Sequence, residues 1–69
     1  MNTTNDRRVE RAAQALSRYL PVTRAPDIDE MEDAITDLLT DLRHYAAAYG
    51  LDIETRWRMS GVHFKAERD

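Results

Sequence analysis

One run of the chain constrains its fold more than any other. Between Ile28 and Tyr49 the apolar residues Ile28, Met31, Ile35, Leu38, Leu39, Leu42, Tyr45, Ala46 and Tyr49 recur at alternating steps of three and four for about three heptads. That period belongs to an amphipathic helix and not to a strand, whose apolar residues return every second position. Its ends are marked as well. The preceding "PDIDEME" offers two overlapping capping boxes, Asp27 with Glu30 and Asp29 with Glu32, and Gly50 supplies a residue that enters the left-handed region without strain. The pattern predicts a helix over 28–49.

An earlier helix is predicted over 6–20. In "DRRVERAAQALSRYL" the residues Val9, Ala12, Ala13, Leu16, Tyr19 and Leu20 keep helical spacing, Thr3, Thr4, Asn5 or Asp6 can cap the start, and Pro21 ends the run. The connection "PVTRAP" carries two prolines that resist helix. Beyond Gly50 two patterns compete. Ile53, Thr55, Trp57 and Met59, then Val62, Phe64 and Ala66, alternate with polar residues around Ser60-Gly61 as a β-hairpin would. The helical reading puts Ile53, Trp57, Ser60 and Phe64 on one face with Asp52 as N-cap, and accepts Gly61 in a helix interior at about 1 kcal/mol.

A chain of 69 residues makes one domain, and a core of that size is marginal without staples or a partner. With no cysteine, disulfides and thiolate metal sites are excluded, which fits a reducing cytoplasm as the expected location. No stretch approaches the roughly 20 apolar residues of a membrane span, and the polar "MNTTNDRR" lacks the apolar stretch of a signal peptide. Self-association is therefore a candidate source of stability. A helix over 28–49 rises roughly 33 Å against about 22 Å for the first helix, so either the third element or a second copy must cover the rest of the seam.

The net charge of -3 conceals a segregation. Residues 1–26 carry five arginines and two acids, residues 27–54 one arginine and nine acids, and residues 55–69 four cations and two acids. The chain reads basic, acidic, basic. Mutual screening of these segments is the simplest account. On the predicted central helix Glu30, Asp33, Asp37 and Asp41 step by three, four and four and form one stripe, with His44 next along it. Capping and the helix dipole account for carboxylates near the start. They do not reach Asp37 and Asp41.

The stretch "ITDLLTDLRHYAAAYGLDIETRWRMSGVHFKAE" resembles a group of small, largely uncharacterised proteins encoded on plasmids, prophages and integrative elements. Their pattern is a "DLL-x-DL-x-H" helix, a run of small residues, "GLD" or "GxDF", and a segment ending in "HY" or "HF" before "AE". The matching residues are Asp37, Leu38, Leu39, Asp41, Leu42, His44, Gly50, Leu51, Asp52, His63, Phe64, Ala66 and Glu67. Trp57 and Gly61 depart from it, and the match covers about half the chain. The resemblance implies a helical third element, so the expected fold is all-α, a three-helix domain with helices 6–20, 28–49 and 52–67. Two helices plus a C-terminal hairpin are the alternative. Anti-restriction and anti-CRISPR proteins of mobile elements are often of this size and acidity, which points to an inhibitor or interaction role.

Three functional readings follow. The favoured one makes Glu30, Asp33, Asp37, Asp41 and His44 a partner-binding face that occupies the basic, nucleic-acid-binding surface of a host protein. A homodimer is the other partner considered. The second reading is a nucleic-acid-binding regulator using Arg7, Arg8, Arg11 and Arg18 with Arg56, Arg58, Lys65 and Arg68, on a superficial helix-turn-helix pattern. A strongly acidic segment beside the reading helix opposes it. The third is a metal-dependent nucleotide-binding helical dimer, since Asp41 and His44 lie one turn apart and "EMED" matches part of an acidic pyrophosphohydrolase signature. The second acidic pair of that signature is missing. Without a Ser, Cys or His constellation for nucleophilic catalysis, no catalytic residue, metal ligand or cofactor is assigned and an enzyme is not expected. Trp57 and Phe64 are expected in the core, with Tyr19, Tyr45 and Tyr49 at its edge, hydroxyls outward.

Overall fold

In a computed structural model, which describes residues 3–68, the chain forms helix α1 (Thr3–Leu16), a 3-10 turn (Ser17–Tyr19), helix α2 (Ile28–Tyr49) and helix α3 (Ile53–Glu67). The described residues contain no strand, so the hairpin is replaced by a third helix. Among them, no helix is long and apolar enough to cross a membrane.

Local chemistry sets the ends of α2. The Glu30 N–H donates to Asp27 Oδ1 at 2.8 Å and the Asp27 N–H to Glu30 Oε1 at 3.1 Å, so the box forms on Asp27 and satisfies two donors the helix would otherwise leave open. At the far end Gly50 takes φ 66°, and the Leu51 N–H reaches back to the Ala46 carbonyl at 2.8 Å. A residue with a Cβ is strained there. Two residues later Asp52 caps α3, receiving the Thr55 N–H at 3.0 Å and the Thr55 hydroxyl at 2.5 Å. This cap, acting three residues after the chain leaves α2, starts a helical turn where a strand would need an extended backbone. Gly61 has no positive φ and sits inside the helix.

The first helix departs from expectation at both ends. It already runs at Thr3, so Asn5 and Asp6 lie inside it and its cap falls outside the described residues. It stops at Leu16, and the Ser17–Tyr19 turn with an extended Leu20 carries the chain to Pro21. Asn5 is used for tertiary contact instead: its Nδ2 donates to the Glu67 carbonyl at the end of α3 at 3.0 Å, beside an Arg8–Glu67 ion pair.

Polar contacts join the helices. The start of α1 meets the end of α3 through Glu67, the turn after α1 lies on α2 through Tyr19 and Asp41, and the end of α2 meets the start of α3 through Arg43 and Glu54 at 2.5 Å. The result is flat, 37 × 31 × 17 Å, with a radius of gyration of 13.8 Å. A compact domain of this length has about 11 Å.

The core is correspondingly thin. Only Ala34 and Ala46, 1% and 3% exposed, are buried among the described residues, with Leu16, Leu38, Leu39, Ile53 and Met59 half-buried around them. Trp57 and Phe64 are not core: they are 60% and 62% exposed. The splayed helices leave open grooves instead of an enclosed core, and Phe64 and Trp57 each line one of them. Tyr45 and Tyr49 stand out on the surface of α2, rings 4.9 Å apart.

Candidate functional site

The five residues of the proposed face all project from α2, within one continuous helix, so their relative placement follows from helical geometry alone. Asp33, Asp37, Asp41 and His44 are exposed and Glu30 is half-buried. The structure separates them into three kinds by what each carboxylate already holds.

Glu30 is occupied. Arg24, from the proline-flanked connection, places Nη1 at 2.7 Å from Oε1 and Nη2 at 2.8 Å from Oε2, a two-pronged contact matching the planar guanidinium to the carboxylate. With the Asp27 N–H also donating, hydrogen bonds from Arg24 first and from the backbone second hold the Glu30 carboxyl down at about 2. This residue serves the entry to α2.

Asp41 is occupied differently. The Tyr19 hydroxyl donates to Asp41 Oδ2 at 2.5 Å, pinning the turn after α1 against the middle of α2. Accepting that bond, and standing with Asp37 as negative charge beside the phenol, Asp41 raises the Tyr19 pKa above its usual value. The expectation of outward hydroxyls is thus corrected for Tyr19, whose partner is on another helix.

Asp33 and Asp37 remain. Among the described residues no ion pair engages either, and they lie one turn apart on solvent-facing backbone with His44 further along. Among the ion pairs of the described residues, Arg24–Glu30 is the one that joins the acidic middle to a basic flank, and Arg56 also acts on Asp52 through its charge. The other two ion pairs run between the ends, Arg8–Glu67, and within the middle itself, Arg43–Glu54.

Two open grooves flank the helices. One of about 740 Å³ lies between α1 and α3 and is lined by Val9, Ala12 and Phe64 with Arg8, His63 and Arg68 around them. Arg68 stands 5.9 Å from the Phe64 ring centre, within range of a cation–π contact. The other, about 600 Å³, lies between α2 and α3, where Leu39, Leu42, Ile53 and Trp57 meet Arg43 and Arg56. Among the described residues no three His, Asp or Glu side chains converge as a metal-holding group, and Asp41, the carboxylate of the metal reading, is turned to Tyr19.

Sequence reasoning placed the stripe but missed the two residues that divide it. Arg24 carried a weak signal, a cation six residues ahead of Glu30 in a segment stiffened by proline. Tyr19 carried none, since a contact across 22 positions depends on how α1 is laid on α2. No protein-family model, curated protein or solved structure matches the chain.

Proposed function

We propose that the protein is a non-enzymatic interaction module, encoded by a mobile element, that inhibits a host nucleic-acid-handling or defence complex by laying the acidic side of α2 against a basic surface. One observation carries the reading: Asp33 and Asp37 are adjacent on an exposed helix face, and neither is among the ion pairs of the described residues. Repelling carboxylates one turn apart disfavour the isolated helix by a few tenths of a kcal/mol, a cost that a cationic partner turns into attraction. A helix held at both ends by caps presents these charges at fixed spacing, so little ordering entropy is lost on docking. Glu30 and Asp41 belong to the border of this face, where Arg24 and Tyr19 hold them in place. His44 extends it.

The test is affinity capture from the host with the intact chain and with Asp33→Asn/Asp37→Asn. The reading expects a partner with a basic nucleic-acid-binding surface that elutes at raised salt and is lost with the double substitution. A partner set unchanged by the substitution, or retained by Asp33→Asn/Asp37→Asn at the same salt, overturns it.

A further inference from the structure

The acidic side leaves a second feature of α2 without an occupant. Met31, Ile35, Leu38, Leu42, Tyr45 and Tyr49 follow one another at steps of four, three, four, three and four, the spacing of a coiled-coil seam. Five of them are 41–69% exposed, with Leu38 half-buried. A lone exposed leucine is ordinary on a protein surface, but a continuous row along a 22-residue helix is not.

The area says how much is missing. The chain exposes 6086 Å², whereas a folded monomer of 8.0 kDa exposes about 4,450 Å². The excess of roughly 1,600 Å² per chain, if covered in two copies together, falls in the range of an obligate homodimer. The molecule has the surface of half a core.

Charge selects the occupant and its direction. The half of α2 that ends at Asp41 carries, with its cap, seven acids: Asp27, Asp29, Glu30, Glu32, Asp33, Asp37 and Asp41. Beyond Asp41 it carries none, but has Arg43 and His44; α3 and its cap bring Arg56 and Arg58 to the same end together with Asp52 and with Glu54, which Arg43 already pairs. A parallel pairing sets two acidic halves side by side. An antiparallel pairing sets each against the other copy's nearly balanced end, where Arg56 and Arg58 stand, and opposes the helix dipoles.

We infer that the protein is an antiparallel homodimer in which α2 packs on α2 of a second copy through Met31, Ile35, Leu38, Leu42, Tyr45 and Tyr49. This is independent of the acidic face, which lies on a neighbouring side of the helix. In the dimer two such faces are presented by one rigid body, so a partner with two basic sites gains from simultaneous engagement.

Light scattering after size exclusion on the full chain tests it. The expected mass is twice 8.0 kDa. Met31→Glu/Tyr45→Glu should halve it, while Val22→Glu, which puts the same charge on an exposed apolar residue outside the seam, should leave it unchanged. A wild-type mass of 8.0 kDa at high concentration overturns the proposal, as does a dimer that the seam substitutions leave intact. The cysteine-free background gives the direction. Under mild oxidation, a mixture of Met31→Cys and Tyr49→Cys chains should form the mixed disulfide, and neither alone should cross-link. Efficient cross-linking of Tyr49→Cys with itself shows a parallel pair and overturns the antiparallel arrangement.

Discussion

Glu30 shows how a single carboxylate can be spent on local order. Its oxygens take both prongs of Arg24 and the Asp27 N–H, and its pKa falls to about 2. A depressed carboxyl pKa stabilises the fold at pH values above the ordinary carboxylate range, and the stabilisation is lost as pH falls from there through about 2. Asp52 acts in the same sense, lowered first by the Thr55 hydroxyl and then by backbone N–H groups. Acid should therefore loosen the starts of α2 and α3 first. With Arg24→Ala, a side-chain NMR titration should find the Glu30 pKa moved up toward the ordinary range; an unmoved value contradicts the two-pronged contact. Tyr19 works at the opposite end of the scale. Because its pKa is raised by the bond to Asp41, its contribution is present below the usual tyrosine pKa of 10.0 and lost as pH rises through the raised value. Asp41→Asn should bring the Tyr19 titration, read by ultraviolet absorbance, back down.

At the scale of the element, two glycines should respond in opposite directions. Gly50→Ala forces a Cβ into φ 66° and should cost about 1 kcal/mol, while Gly61→Ala, in a helix interior with open space around the added methyl, should gain about 0.5–1 kcal/mol. Urea unfolding at one fixed protein concentration reads both. Had Ser60-Gly61 been a hairpin turn, the second substitution would destabilise instead. The same contrast explains what could be read from sequence. Helix α2 was legible because cap, seam and terminal glycine agreed on one period. Helix α3 was ambiguous because its apolar residues fit alternation better than a helical face. The structure shows why: Ile53, Thr55 and Met59 are half-buried while Trp57 and Phe64 face solvent, so little packing acts to sharpen the pattern. For the site, helical spacing was enough to place Glu30, Asp33, Asp37, Asp41 and His44 on one side of α2. It could not tell which were engaged, since that depends on Arg24 and Tyr19 arriving from other segments.

The whole molecule is flat, open and short of core. Three splayed helices, two buried alanines among the described residues and an exposed apolar seam are the features on which the dimer proposal rests. On the two proposals, the seam of α2 takes a second copy and its acidic side a basic partner. The dimer proposal is the more fundamental, because a second copy would supply the stability on which the acidic face depends. Thermal unfolding followed by far-UV circular dichroism over a roughly hundredfold range of protein concentration tests it most directly. The account predicts a strongly helical spectrum and a midpoint that climbs with concentration, since unfolding of a dimer also dissociates it. A helical chain whose midpoint is the same at every concentration would contradict the account, because it would show that one copy holds itself together.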